Sequence, residues 1–315
     1  MTYSRAEPLP ASTRTSTKSP FAIGVCYAQF ELNSCVVGLA AKGVWAQNAG
    51  HMAHAEELGR GPLLPLSVQN AYRERYRAIR PGWRSSGDQL EAIVRSHLKP
   101  SSHVLDLGCG RGGVVELVWR DVELAVGLDP DAPSLSEHRA PGMPVIRGIG
   151  ESLPFADQSF DLIVCVWVLE HLKDPATTLR EVRRVLRPGG HFVFVTPNTR
   201  NPLMLANRIG RALPALQRRI VPRFYGRAEA DTFPVQYRAN TVAAIRALGK
   251  EAGLEVYDLR VVPDPTYLAL NTFMFRASVV SERFMPKSWG VHLLGDLVRA
   301  QEVARPVRAA AQIED

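Results

Sequence analysis

One ten-residue segment constrains this chain more than any other. Residues 104–113 read Val-Leu-Asp-Leu-Gly-Cys-Gly-Arg-Gly-Gly, so a mostly apolar run leads directly into a glycine-rich turn. Glycine lets the backbone approach a ligand closely, and a helix that begins at such a turn points its first N–H groups at that ligand. The segment therefore predicts a buried strand, a ligand-binding turn and a helix.

Apolar runs and helical patterns alternate through the middle of the chain. Strands are predicted at 103–107, 123–128, 143–146, 160–168, 191–196, 254–262 and 290–298. Helices are predicted at about 112–120, 131–138, 174–186, 240–252 and 266–284. Repeated strand–helix–strand units fold into an open, mostly parallel sheet that helices cover on both faces.

The regions before this alternating part differ in character. Residues 1–51 start with a basic segment rich in Ser and Thr, and we expect a disordered tail or a wrongly assigned start, with translation from Met52. Residues 52–99 are expected to form an N-terminal helical cap. Two helices are predicted there, the first from the helical spacing of Val68, Tyr72, Tyr76 and Ile79 and the second at about 86–98.

The main domain is expected to span residues 100–298, with a flexible tail at 299–315. An arginine-rich insert, residues 198–238, interrupts the alternation after the fifth strand and contains only two acids, Glu229 and Asp231. Because it begins at the edge where ligands bind in such sheets, it can fold over a second substrate.

Composition narrows the possible classes of protein. The 315 residues are 46% hydrophobic and 22% charged, which excludes wholesale disorder and a fibrous fold. No run of about 18 apolar residues predicts a membrane-spanning helix. The four cysteines have neither metal-ligand nor disulfide-framework spacing, so no metal is expected. The net charge is +7, but no interleaved arginines and aromatic residues indicate a nucleic-acid partner.

An acidic residue at the end of the second predicted strand extends the first motif. Gly108, Gly110 and Gly113 satisfy the pattern G-x-G-x-x-G, and Asp129 follows about 20 residues after the turn. An acid at that place can bind the hydroxyl groups of a ribose. The alternative is a tight turn followed by an ordinary surface aspartate.

Asp106 separates two kinds of ribose-bearing cofactor. It lies inside the first predicted strand, two residues before Gly108, and a buried carboxylate needs a partner. A dinucleotide-binding strand usually has an apolar residue at this position, and a cationic ligand group or water-bridged amines would satisfy the carboxylate. S-adenosylmethionine carries a positive amino group and a positive sulfonium, so Asp106 favours that cofactor.

Three further motifs carry a resemblance to a known family. They are Glu-Ser-Leu-Pro-Phe-Ala-Asp-Gln-Ser-Phe-Asp at 151–161, Val-Leu-Glu-His-Leu at 168–172 and Leu-Arg-Pro-Gly-Gly at 186–190. With them, residues of about 100–197 resemble class I S-adenosylmethionine-dependent methyltransferases, especially the subgroup that includes ubiquinone- and menaquinone-pathway enzymes. The resemblance implies a doubly wound, Rossmann-like α/β sheet of seven strands with the last strand antiparallel, plus a helical lid insert at 198–238.

The resemblance also implies a cofactor site. The amino-acid end of the cofactor is expected near the glycine turn, the ribose on the acid after the second strand, and the adenine beyond it. Trp167 is expected over the methionine side. The cofactor residues implied are Asp106, Gly108, Cys109, Gly110, Asp129, Pro130, Gly150, Glu151 and Trp167.

One position departs from the family pattern. Family members commonly have an acid and then a small residue just before Glu151, and the acid contacts the adenine amino group. Here Ile149 and Gly150 stand in those positions. A backbone contact from Gly150 is compatible with this sequence, whereas the side-chain contact is lost unless Glu151 replaces it.

Residues for the second substrate are fewer. His171 follows the fourth predicted strand and is a candidate general base, since imidazole titrates near neutral pH. The alternative is a histidine that only packs or hydrogen-bonds locally. Arg227 and Arg238 flank the Phe-Pro turn of the insert and are candidates for an anionic group of the acceptor, with a solvated helix as the alternative.

These observations predict an S-adenosylmethionine-dependent methyltransferase in the cytoplasm. The acceptor is expected to be a small or lipid-like molecule, methylated at oxygen rather than carbon. Peripheral contact of the protein with a membrane is compatible with this sequence. The alternatives are a nicotinamide-dependent oxidoreductase and a cofactor-binding protein without turnover. The sequence gives no indication of the acceptor's identity or of the oligomeric state.

Overall fold

The computed structural model describes residues 66–202, 204–205, 234–269 and 271–301. Their strands are β1 (His103–Leu107), β2 (Leu124–Asp129), β3 (Val145–Arg147), β4 (Phe160–Val166), β5 (Leu186–Pro197), β6 (Leu254–Val262) and β7 (His292–Arg299). They form one seven-stranded sheet in the order β3-β2-β1-β4-β5-β7-β6. The strands from β1 to β5 pair in parallel, and β7 is antiparallel to both β5 and β6. The predicted sheet with an antiparallel last strand is confirmed.

Six α-helices lie in the same described ranges. They are α1 (Leu66–Ile79), α2 (Ser86–His97), α3 (Ala132–Ser136), α4 (Pro175–Val185), α5 (Val242–Ala252) and α6 (Thr272–Glu282). Side-chain caps fix where several of them start. Ser85 and Asp88 form a capping box at α2, and Thr241 caps α5. No helix in these ranges is long and apolar enough to cross a bilayer.

The strands bury side chains on both faces of the sheet, as helices on both sides require. One apolar cluster contains Leu105 and Ile163 with side chains of α4 and α5. The other contains Val104 and Leu162 with side chains of α2. Neighbouring residues of one strand thus enter opposite clusters, which is the two-residue period of a β-strand.

A third cluster joins α1 to the connection between β6 and β7. The rings of Tyr72 and Phe275 lie 5.0 Å apart, and the Tyr76 hydroxyl donates to Glu282 on α6. Trp83 Nε1 donates to the carbonyl oxygen of Pro263 over 2.9 Å. The predicted helix 266–284 is shorter than expected, because a 3₁₀ turn at Pro265–Leu268 precedes α6.

One predicted helix and the start of one predicted strand were wrong. No α-helix follows the glycine turn; 3₁₀ turns at Val115–Leu117 and Trp119–Asp121 replace the helix expected over 112–120. Gly112 has φ +115°, outside the helical region, and the valine-rich segment after it disfavours a helix. Strand β5 begins at Leu186 rather than at 191, because Leu186 already pairs with Phe160 before a register shift.

Two histidines and an aspartate connect the end of α2 to strands β5 and β7. His97 Nε2 and His191 Nδ1 each lie 2.8 Å from a different oxygen of Asp296, and the two imidazole rings stack 3.7 Å apart. Burial raises the pKa of Asp296, but the hydrogen bonds from His191 and His97 outweigh it and leave that pKa below its usual range. The cluster joins three distant chain segments.

Candidate functional site

The carboxyl ends of the parallel strands meet at one edge of the sheet, here called the catalytic edge. Strand order reverses between β1, which is followed by β2, and β4, which lies on the other side of β1. In open α/β sheets the ligand crevice lies outside the strand ends at such a reversal. The glycine turn after β1 lies at this point.

The turn is shaped by a contact that excludes any side chain at Gly108. This residue has φ +78°, and a Cβ atom built on it would lie 2.1 Å from Cγ2 of Val168. Its N–H donates to the carbonyl oxygen of Leu128 over 2.7 Å. Glycine is therefore required at 108 both by its positive φ and by the Val168 side chain packed against it.

Asp129 is oriented by the backbone around it. Its Oδ2 accepts from the N–H of Gly110 and its Oδ1 from the N–H of Asp131, each over 2.9 Å. The residue is buried at the end of β2, directly beside the glycine turn. Each carboxylate oxygen retains a further lone pair, so the group can also accept hydrogen bonds from two hydroxyls.

Asp106 has an unsatisfied polar atom at the catalytic edge. It is buried within β1, and its Oδ2 has no hydrogen-bond partner among the described residues. Burial, with smaller contributions from the carboxylates of Glu116 and Asp129, raises the pKa of Asp106 to about 7. A buried carboxylate of this kind is stabilised by a cation or a hydrogen-bond donor placed beside it.

Cys109 lies in the turn but has no nucleophilic character. Burial, and then the negative charges of Asp106 and Asp129, raise the pKa of its thiol to about 12. Its sulfur packs against Gly127, where a Cβ atom would lie only 2.7 Å away. The thiol is protonated at neutral pH and fills space between β1 and β2.

The residues expected around adenine lie after β2 and β3. Gly150 is buried, and a Cβ atom there would lie 2.9 Å from Cγ2 of Thr178. Ile149, at the position of the family acid, is exposed, while Glu151 is half-buried and Pro130 exposed. An apolar surface therefore stands where a carboxylate was expected.

One arginine binds three residues of the 151–161 motif. Arg184 on α4 donates to the carbonyl oxygens of Leu153 and Phe155 and pairs with Asp157 over 2.8 Å. Glu181 accepts from the N–H of Leu153 over 2.8 Å and also pairs with Arg184. These motif residues shape the loop beside the site.

Trp167 ends β4 in a backbone conformation that residues other than glycine seldom adopt, with φ +59°. Its N–H donates to the carbonyl oxygen of Val195 over 3.0 Å, which holds this conformation. The partly exposed indole lies edge-on to the ring of His292, with centroids 4.8 Å apart. Both rings therefore border the catalytic edge.

His292 was not identified from the sequence. It is buried at the start of β7, and its Nδ1 lies 2.9 Å from Oγ of Ser86. Burial, and then the charge of Arg73 on α1, lower the pKa of His292 to about 3. The ring is neutral near pH 7. No local motif marks it, because its neighbours come from α1, α2 and β4.

A buried network of hydrogen bonds connects the end of β5 to the loop after β4 and to Asn240. Thr196 donates to Glu170 over 3.0 Å, and Asn240 Nδ2 donates to Oγ1 of Thr196 over 2.6 Å. The carbonyl oxygen of Glu170 accepts from the N–H groups of Gln236 and Tyr237. The end of the insert is thereby fixed to the loop after β4.

His171 lies in that loop, where it also contacts the end of the insert. Its Nδ1 is 3.3 Å from the carbonyl oxygen of Pro234. A carbonyl oxygen only accepts, so Nδ1 carries the proton and the lone pair of the neutral ring is on Nε2. This tautomer is the one a base at Nε2 needs.

Of the two arginines proposed for the acceptor, the described residues include Arg238. Arg238 is exposed and donates to the carbonyl oxygen of Lys173 over 2.8 Å, so it lies next to the loop of His171. Arg227 lies outside the described residues, as do residues 206–233 of the insert.

Known proteins similar to this chain share the same domain. Residues 105–194 match the family model described as methyltransferase domain. A protein of Mycolicibacterium smegmatis named "Probable S-adenosylmethionine-dependent methyltransferase" is 38% identical over 105 residues, 33% of this chain and 41% of that relative. The phthiotriol/phenolphthiotriol dimycocerosates methyltransferase of Mycobacterium tuberculosis is 36% identical over 106 residues, 32% of this chain and 39% of that relative.

A solved structure resembles the chain more distantly. Geranyl diphosphate C-methyltransferase from Streptomyces coelicolor A3(2), solved with Mg²⁺, geranyl diphosphate and S-adenosyl-L-homocysteine, is 17% identical. The likeness covers 68% of this chain and 77% of that chain, with a TM-score of 0.49.

The family match begins in β1, just before the glycine turn, and ends in β5. Residues 105–194 are thus similar in sequence to methyltransferase domains, among them one named for S-adenosylmethionine. The match spans less than half of the length of the two curated relatives.

Proposed function

We propose that this protein transfers a methyl group from S-adenosylmethionine to an oxygen atom of a small, lipid-like acceptor. The buried Oδ2 of Asp106, without a hydrogen-bond partner among the described residues, carries the proposal. Together with Asp129 it makes the floor of the catalytic edge acidic. That floor fits a cofactor with a positive amino group and sulfonium better than one with a negatively charged pyrophosphate.

Different residues bind different parts of the cofactor. Asp106, beside the glycine turn, holds the amino-acid end, and Asp129 accepts hydrogen bonds from the ribose hydroxyls. Gly150, Glu151 and Ile149 border the adenine, with Ile149 packing on the ring where relatives have an acid. When bound, the cofactor supplies an electrophilic methyl group on a positively charged sulfur. Trp167 excludes water from the methionine side.

The acceptor side supplies orientation and a base. Methyl transfer needs in-line positioning in a site from which water is excluded. An alcohol must also lose its proton as the new carbon–oxygen bond forms. Nε2 of His171 takes that proton, and the Nδ1 hydrogen bond to Pro234 keeps the ring in the required tautomer.

A lipid-like acceptor has two supports. The relative from Mycobacterium tuberculosis is named for dimycocerosate acceptors. In addition, the connection between β6 and β7 exposes large apolar side chains, Phe273 and Phe284 among them. Arg238 and Arg227 are proposed to bind an anionic group of the same acceptor.

Calorimetry with the full chain tests the cofactor first. S-adenosylmethionine is expected to bind, and NADH is expected not to bind. Tight NADH binding would contradict the assignment and favour a nicotinamide-dependent oxidoreductase.

The acceptor is identified by product analysis. The protein is incubated with methyl-labelled cofactor and fractionated cell extract, and labelled products are separated and identified by mass spectrometry. A labelled ether or ester in the lipid fraction supports the proposal. Label at carbon overturns the oxygen assignment, and cofactor binding without any product favours a binding protein without turnover.

A further inference from the structure

One face of α6 presents large apolar side chains to solvent. Phe273 and Phe284 are 80% and 83% exposed. Val280, Met285 and Trp289 are also exposed beside them. Phe273, Val280 and Phe284 recur at spacings of seven and four residues, which places them on one side of the helix and the turn that continues it. These five side chains are called the α6 surface below.

The opposite face of α6 is the one that the protein buries. Phe275 and Ser278 are buried there, and Tyr72 and Tyr76 of α1 face them. The helix is thus already anchored in the fold, and the α6 surface is not required to hold it there. Exposed apolar side chains at this density mark an interaction site rather than a stray surface residue.

Cations accompany the apolar side chains. Arg276, Arg283 and Lys287 are exposed in the same segment, and none of them pairs with an acid among the described residues. Glu282 is the single acid in residues 271–290, and it accepts a hydrogen bond from the Tyr76 hydroxyl. The charge of this surface is therefore positive.

The α6 surface is fixed to the catalytic edge. His292 at the start of β7 pairs with Pro197 at the end of β5, so the connection that carries α6 returns at that edge. Asn198 Nδ2 donates to the carbonyl oxygens of Ser288 and Gly290 over 2.9 and 2.7 Å. Asn201 Nδ2 donates to the carbonyl oxygen of Trp289 over 2.6 Å.

We infer that the α6 surface binds the face of an anionic lipid bilayer. Phenylalanine and tryptophan that protrude from a helix beside arginine and lysine match the acyl boundary and the negative headgroups of such a membrane. The inference rests on the proposed function in one respect: a lipid-like acceptor reaches the catalytic edge from that bilayer.

Vesicle sedimentation with the full chain, without cofactor or acceptor, tests this inference. Vesicles contain phosphatidylcholine alone or phosphatidylcholine with phosphatidylglycerol. The wild type is expected to bind the anionic vesicles at least tenfold more tightly, and less so at high salt. The double variant Phe273→Ser, Phe284→Ser is expected to lose at least tenfold in affinity for them.

Two further variants separate the contributions. Arg276→Glu with Arg283→Glu should remove the preference for phosphatidylglycerol, because it reverses charge and leaves the aromatic rings. Leu117→Ser is the matched control, since Leu117 is an exposed apolar residue after the glycine turn. It should bind vesicles like the wild type.

The inference is wrong if the wild type ignores both vesicle types or if the double phenylalanine variant binds them unchanged. It is also wrong if the wild type is a dimer in solution that the double variant dissociates, since a second copy then covers the surface. Vesicle binding without methylated product would leave the membrane surface standing and remove the proposed activity. Product formation without vesicle binding would do the reverse.

Discussion

The two sides of the catalytic edge are built from contacts of different sequence range. Around the cofactor turn, Asp129 is held by N–H groups of Gly110 and Asp131, all within one short stretch of the chain. On the acceptor side, Tyr76 bonds Glu282 and Trp83 bonds Pro263, so segments about 200 residues apart meet. One side is encoded locally, and the other exists only when the whole domain has folded.

This difference has a chemical side as well. The cofactor turn is mainly backbone and glycine, which any ligand with the same sugar and charge can use. The proposed acceptor side depends on side chains instead, since His171 contacts Pro234 at the end of the insert and Arg238 contacts Lys173 in the loop after β4. Damage to the first should change cofactor affinity, whereas damage to the second should change turnover or the acceptor's KM.

The largest effect is expected on the acceptor side. If His171 is the base, His171→Ala should lower kcat about 10²–10⁴-fold, because the acceptor then loses its proton unaided. Steady-state kinetics would measure the loss, and calorimetry should find cofactor affinity unchanged. A drop in melting temperature without a catalytic defect would instead assign His171 to local structure.

The next largest effect is expected at the cofactor turn. Asp129→Ala removes charge-assisted hydrogen bonds worth roughly 1.5–3 kcal/mol each, so S-adenosylmethionine affinity should fall at least tenfold. Calorimetry gives the value. Asp131→Ala is the control, since it removes a nearby carboxylate that caps α3. That variant should melt at a lower temperature but should not lose tenfold in affinity. Equal affinity losses in both variants would refute a specific ribose contact.

Asp106→Asn should separate stability from binding. The folded pKa of about 7 exceeds the usual value of 3.8, so the folded protein retains a proton that the unfolded chain loses. This carboxyl therefore costs stability increasingly as pH rises from about 4 to 7. The variant without cofactor should melt roughly 2–8 °C higher at pH 7.5, with little gain at pH 4.

The same variant should bind S-adenosylmethionine more weakly, because a neutral amide replaces the carboxylate beside the cationic group. Scanning calorimetry across pH and binding calorimetry at pH 7.5 give the two readings. A less stable variant with unchanged affinity would show that Asp106 serves packing alone.

The smallest effect is expected in the insert. Arg227→Ala and Arg238→Ala should raise the acceptor's KM severalfold, more at low than at physiological salt, and leave cofactor affinity unchanged. Arg246→Ala on α5 changes another exposed arginine and is the matched control. If the KM of both insert variants equals that of the Arg246→Ala control, the insert arginines serve solubility.

The contrast also explains what the sequence could predict. The strands, their order along the chain, Asp106 and Asp129 were recognisable because each depends on a short pattern. The 3₁₀ turns after Gly112 were missed because a helix and a tight turn share the same glycine signal. His292 and Arg73 were missed for another reason, since their role depends on which distant segments pack together. The expectations for residues 1–51 and for Arg227 remain predictions, because both lie outside the described residues.

Two thiols are buried, that of Cys109 in the glycine turn and that of Cys165 in β4, and their burial has a practical consequence. Burial raises the pKa of Cys109 to about 12 and that of Cys165 well above its usual value, so both are protonated and shielded. Maleimide reagents require an accessible thiolate. Under native conditions, fluorophore attachment should therefore spare these two positions.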